Sequence, residues 1–266
     1  MSSRANLFQV VTFATDPLHG NPAFVLSGAR DVSDAALMAA CTILDTDVVA
    51  VVDDASNGVT PLRFFTSKGP HGGAGHATLA AAHVALHDGA AKRAVTFHTA
   101  NGDRAAQLDG TRIAVDFPVM PGASVDRITD IAAALGVRPN ETLVAPFGYV
   151  AIYDDPDVIA DMRPDLDRVA GFDRTAVIAT APGRDGADIV IRVFAPNVGL
   201  PEDPVCGTAH RIIVPYWAER MGKKRIHSRQ LSPRGGDLFC EDKGETIVIG
   251  GESRLVIDGT IRLPDR

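Results

Sequence analysis

The segment Pro201-Glu202-Asp203-Pro204-Val205-Cys206-Gly207-Thr208 sets acids, a thiol and a hydroxyl side by side ahead of an apolar run. That is denser in reactive groups than a turn requires. Asp203 followed by Pro204 reads by itself as a helix N-cap with proline at the first helical position, with an acid that faces a substrate as the alternative. Cys206 at a helix start is expected to have a lowered pKa, suited to moving a proton as a thiolate, with a small buried residue as the alternative. A second segment, Gly72-Gly73-Ala74-Gly75-His76-Ala77-Thr78, also leads into an apolar helix. There the helix dipole disfavours an imidazolium, so His76 should stay neutral and able to give or take one proton. His71 in the same loop competes for that role, while His83 and His87 read as packing or surface residues.

Each of these helices opens with N–H groups that have no intrahelical partner and carry partial positive charge. Such an end holds a carboxylate and stabilises the charge that appears when a carbon acid loses its proton. Otherwise the glycines serve only tight turns. No spacing of His, Cys, Asp or Glu matches a zinc or iron site, and GxGxxG, Walker A, GxSxG and HExxH are missing from the sequence. No cofactor and no metal ion are expected. Proton transfer between side chains and a small molecule remains.

The elements that must position these groups follow from pattern. Leu7 to Phe13 and Ala23 to Leu26 read as strands around the turn His19-Gly20-Asn21-Pro22. Ser33 caps a helix ending near Asp45, with Leu37, Cys41 and Leu44 on one face. Strands are predicted at 48–52, 62–65, 94–98 and 111–117, and the nearly uncharged stretch Leu79 to Leu86 is a helix that must be buried. Ile128, Ile131, Ala132 and Leu135 share a helical face that Gly136 terminates. Strands at 225–231, 247–250 and 255–263 complete the chain. Cys41 and Cys240 look structural.

The second half repeats the first. Arg63-Phe64-Phe65-Thr66 runs through a Gly/Pro-rich loop to Gly75-His76-Ala77, and Arg192-Val193-Phe194-Ala195 runs through a slightly longer one to Gly207-Thr208-Ala209. A duplication of this kind directs a site to where the halves meet. At 266 residues two domains of roughly 130 residues each are the natural reading. Pro118 and Pro121-Gly122 mark the linker and give domains 1–119 and 120–266, with the last strand a candidate to return to the first half.

Composition excludes much else. With 45% hydrophobic and 22% charged residues the chain is globular and not disordered. A net charge of −7, and Lys223-Lys224-Arg225 as the one basic run, make a nucleic-acid partner unexpected. No apolar segment approaches a membrane span, and three cysteines without metal or disulfide spacing suit the reducing cytoplasm.

Gly20-Asn21-Pro22-Ala23, Arg63-Phe64-Phe65-Thr66, Gly75-His76-Ala77-Thr78-Leu79-Ala80 and above all Glu202-Asp203-Pro204-Val205-Cys206-Gly207-Thr208-Ala209-His210 resemble the PhzF-like phenazine-biosynthesis family. The resemblance implies an α+β fold of the diaminopimelate epimerase type: two pseudo-symmetric domains, each a β-barrel-like sheet around a central helix, often as a homodimer. It also implies a cofactor-free proton shift, as in isomerisation of trans-2,3-dihydro-3-hydroxyanthranilate, with a glutamate that removes and redelivers the proton. That glutamate falls on Asp47, one methylene shorter, within Thr46-Asp47-Val48 where the family reads Ser-Glu-Thr. The family's second acid matches Asp203, its histidine His76, and its carboxylate-binding serine Thr208. Related two-thiol racemases open each loop with cysteine; here the positions are Cys206 and Ala74. Ser67 stands where the family has proline, and Pro70-His71-Gly72-Gly73 replaces a loop that commonly carries an acid.

The expectation is therefore an isomerase or epimerase acting on a small carboxylate-bearing substrate. Asp47, His76 and Asp203 are its catalytic groups, and Asn21, Gly75, Cys206, Gly207 and Thr208 bind the substrate. Two alternatives stand beside it: a Cys206-dependent epimerase or dehydratase, and a binding protein that has lost its chemistry.

Overall fold

The computed structural model describes residues 3–55, 58–87 and 93–264. The chain forms two compact units, 1–116 with 250–266, and 117–249.

The first unit begins with β1 (Ser3–Thr12) and β2 (Asn21–Ser27), antiparallel with Thr12 opposite Asn21. Then come α1 (Asp34–Ile43), β3 (Val49–Val52), β4 (Thr60–Thr66), β5 (Gly69–His71) and α2 (Gly75–His87). β6 (Ala94–Thr99), β7 (Gly102–Asp109) and β8 (Arg112–Pro118) follow as antiparallel neighbours. β2 runs parallel to β3, β3 antiparallel to β4, and β4 parallel to β6. This sheet wraps α2, which packs against β1, β2, β3, β6 and β7. Ala77 through Val84 are all buried, as an uncharged helix demands. Ser33 caps α1 by accepting the Ala36 N–H, as its position before the periodic stretch predicts. α1 lies outside the sheet, and its inner face, Ala36, Leu37, Ala40 and Cys41, joins a core with Leu26, Val51 and Phe65.

The second unit holds β9 (Ala123–Ser124), α3 (Ile128–Leu135), β10 (Glu141–Val144), β11 (Gly148–Ile152), α4 (Pro156–Asp161), α5 (Leu166–Ala170), β12 (Ala176–Pro182) and β13 (Ile189–Phe194). α6 (Gly207–Met221), β14 (Arg225–Gln230), β15 (Gly236–Asp242) and β16 (Thr246–Gly251) follow. α3 stops at Gly136, whose φ of 80° ends the helix as read from the sequence. In the segment read as a linker, Pro118 and Pro121 are exposed, Pro118 O accepts from Arg211 Nε at 2.8 Å, and Gly122 sits against Leu143 and Ile212.

The order of pairings repeats that of the first unit. β10 is antiparallel to β11, β11 parallel to β12, β12 antiparallel to β13, β13 parallel to β14, and β14 antiparallel to β15. Even the register matches: Val49 faces Phe65 as Val177 faces Phe194, and Thr60 faces Phe97 as Ile189 faces Ser228. The fold is α+β and duplicated. β17 (Ser253–Leu263) belongs to the first unit and pairs antiparallel with β1 along its length, with a bulge opposite Gln9 and Val10. Among the described residues no helix is long and apolar enough to cross a membrane.

Candidate functional site

Four of the residues singled out in the sequence lie in the first unit. Asn21 opens β2 and is buried, with its carbonyl accepting from Thr12 Oγ1 at 3.0 Å. Gly20 makes this possible: φ is 73°, and a Cβ there would sit 2.3 Å from Thr12 O. Asp47 follows a Schellman turn that ends α1. The Thr46 N–H reaches Cys41 O at 3.0 Å, the Asp45 N–H reaches Thr42 O at 3.3 Å, and Asp45 takes a left-handed φ of 49°. This sets Asp47 on a defined corner before β3, with its side chain exposed.

Gly75 and His76 start α2. Ala74 O accepts both the N–H and the Oγ1–H of Thr78, at 2.9 and 2.8 Å, so Ala74 closes the first turn. His76 is half-buried, and desolvation lowers its imidazole to about 4, so the ring is neutral at physiological pH as expected. His71 is not at the helix start. It is the last residue of β5, exposed, with Nδ1 accepting the Gly73 N–H at 3.2 Å. His83 is buried and bonded to Ser253 Oγ at 2.7 Å, a packing role as read from the sequence.

Asp203, Cys206, Gly207 and Thr208 lie together in the second unit. Asp203 does not cap the helix, contrary to one of its sequence readings. The cap position is Cys206, and Gly207 and Thr208 are the first two helical residues. Asp203 instead makes a tight turn of its own, Oδ1 accepting the Val205 N–H at 3.1 Å, because Pro204 and Val205 separate it from the cap position. Cys206 departs from expectation as well. Burial, then the neighbouring Asp203 charge, raises its thiol well above the ordinary value, and the amides of Thr208 and Ala209 pull the other way without prevailing. Helix-end stabilisation is worth less here than desolvation. A low-pKa thiolate at Cys206 is therefore corrected to a neutral, buried thiol.

Sequence reasoning missed what holds this loop. Arg192 is buried and grips Glu202 with two parallel bonds, Nε to Oε1 at 2.7 Å and Nη2 to Oε2 at 2.8 Å, while Nη1 donates to the carbonyls of Ile159 and Met162. The corresponding Arg63 meets Asp53 at 3.2 Å. The shared Arg-x-Phe signal was visible in the repeat, and each guanidinium lies over the phenylalanine two residues on. His210 is fully buried, its Nδ1 bonded to Cys206 O at 2.7 Å and its Nε2 to Ser228 Oγ at 2.8 Å.

Residues 10–259 match the family described as phenazine biosynthesis-like protein. The chain belongs to this PhzF-like family. An uncharacterized isomerase of Pseudomonas aeruginosa is 37% identical over 261 residues, spanning 97% of this chain and 98% of its own. A PhzF-family phenazine biosynthesis protein of Enterococcus faecalis superposes with a TM-score of 0.91 at 30% identity, over 98% of this chain and 99% of that one. A hydroxyproline epimerase of Agrobacterium vitis shares the fold, with a TM-score of 0.61 at 13% identity over 98% and 93% of the two chains. The PhzF-like assignment carries the enzyme class with it: this chain is an isomerase.

Proposed function

We propose that this PhzF-like protein shifts a proton on a small carboxylate-bearing substrate, amino-acid-like or cyclic, without a cofactor. The observation that carries the reading is the duplicated helix start with unlike side chains. One backbone plan is built twice, with His76 at the head of α2 and Asp203, Cys206 and Thr208 around the head of α6.

In this reading both helix starts serve one bound substrate. The Gly207 and Thr208 end, with the Thr208 hydroxyl, holds the substrate carboxylate, and Asn21 and Gly75 complete its binding. Asp47 takes a proton from carbon and returns it at another position or on the other face, so no atom or electron is gained or lost. The amide-rich helix ends stabilise the negative charge that exists between the two transfers. Neutral His76 donates to, or accepts from, the substrate's polar group, and Asp203 supplies or holds a second proton. The buried neutral thiol of Cys206 supports a binding role and weighs against a thiolate base, and alanine at the matching position 74 weighs against a two-thiol racemase.

The test is deuterium uptake from D2O into trans-2,3-dihydro-3-hydroxyanthranilate and a panel of cyclic and unsaturated amino acids. Asp47→Ala should slow exchange by ~10²-fold or more. Exchange as fast as wild type in that variant overturns the assignment.

A further inference from the structure

The loop that carries Asp203 is held almost peptide by peptide by groups from β14 and the turn after it. Gln230, at the end of β14 and fully buried, bonds the loop twice: Oε1 accepts the Cys206 N–H at 2.8 Å, and Nε2 donates to Asp203 O at 2.6 Å. Ser232 Oγ donates to Pro204 O at 2.6 Å, and the Asp203 N–H reaches Val193 O at 2.9 Å. Below the loop, Cys206 O can only accept, so His210 carries its proton on Nδ1 and its Nε2 accepts the Ser228 hydroxyl.

The first unit repeats one of these bonds, Asn101 Nδ2 donating to Gly72 O at 2.9 Å in the place of Ser232 and Pro204, but among the described residues it has no counterpart of Gln230. The matched register puts Phe97 where β14 has Ser228, and therefore Thr99 where it has Gln230. Among the described residues Thr99 Oγ1 bonds within its own turn, to Gly102 O and the Asn101 N–H, and Thr78 takes the place of His210. Repetition of the fold accounts for the Ser232 bond but not for the two bonds of Gln230, which have no counterpart among the described residues of the repeat. The Gln230 pair belongs to the loop with the acid.

We propose that Gln230 is a positioning residue: by tying Asp203 O and the Cys206 N–H to one amide, it fixes the direction of the Asp203 carboxyl relative to the head of α6. This rests on Asp203 being a working acid of the site. The glutamine amide donates and accepts across the gap while staying neutral at every pH. A protonated glutamic acid does the same, its O–H donating to Asp203 O and its carbonyl accepting from Cys206 N–H; an ionised one cannot donate.

Wild type, Gln230→Glu, Gln230→Met and Asp203→Asn are compared between about pH 5 and pH 8. One readout is deuterium uptake into trans-2,3-dihydro-3-hydroxyanthranilate; the other is hydrogen exchange at the Cys206 amide relative to neighbouring amides. Gln230→Met, which fills the space without bonding, should lower kcat ~10-fold or more at every pH with little change in KM. Gln230→Glu should match it at about pH 8 and recover toward wild type by about pH 5, with protection of the Cys206 amide returning in step. A mere packing role would leave the two variants alike across pH. Wild-type turnover in both, or no acid recovery in Gln230→Glu, overturns the positioning role while Asp203→Asn is inactive. Full turnover in Asp203→Asn, or no exchange by wild type, overturns the functional reading instead. The amide readout then judges the clamp alone, and equal Cys206 exchange in all four proteins refutes it.

Discussion

Glu202 precedes the acid of the loop, and its pairing with Arg192 offers a measurable quantity. The two side chains are 10% and 16% exposed, and the pair has bidentate geometry at 2.7 and 2.8 Å. Removing one member of such a pair leaves a buried charge without its partner, at a cost of about 3–5 kcal/mol. Glu202→Ala should fall near the low end, about 3 kcal/mol, because Glu202 keeps some contact with water and Arg192 keeps the Ile159 and Met162 carbonyls. Arg192→Met should cost more, since those carbonyl bonds are lost too and each unmade bond adds roughly 1 kcal/mol. The double variant should cost about as much as Arg192→Met alone, which is a coupling of about 3 kcal/mol. The assay is urea unfolding followed by the fluorescence of Trp217, the one tryptophan, buried on α6 with Nε1 bonded to Thr180 Oγ1 at 3.1 Å. Purely additive costs, or a Glu202→Ala loss below about 1 kcal/mol, would refute the view of this pair as a desolvated unit.

Gly148→Ala should destabilise the second unit by about 2 kcal/mol or more, read by thermal unfolding, because a Cβ there lies 2.5 Å from Ala176 O and would force β11 and β12 apart. Stability should fall on acidification from about pH 6.5 toward pH 4. His76, His83 and His210 are each lowered to about 4 by burial, so the unfolded chain binds protons in that window that the folded one refuses. A melting temperature flat across this interval would contradict their burial. Cys206 should react with iodoacetamide far more slowly at neutral pH than a free thiol; rapid, substrate-protected alkylation would restore the thiolate reading.

The fold was legible where one local signal was strong enough by itself. Ser33 ahead of a periodic stretch gave α1, Gly136 closed α3, and the uncharged run after Gly75 gave a buried helix. α4 and α5 escaped although Asp155 and Asp165 cap them, because five or six residues are too few to show a helical period. β7 escaped because Gly102–Asp109 is mostly polar and exposed, and its pairing with β6 and β8 is what makes it a strand. In the site, the two helix heads and their residues could be read from short motifs. The loop's true cap, the raised Cys206 and the bonds of Gln230 and His210 could not, since each depends on burial or on partners that are distant in the chain.

β17 gives this architecture an order of assembly. The first unit lacks the strand that covers β1 until residues beyond 250 have left the ribosome, by which time the whole of 117–249 is already available. The later-encoded unit is thus the first that can be completed during synthesis, reversing the usual N-terminal lead. Until then the nascent chain must carry β1 with an unguarded edge.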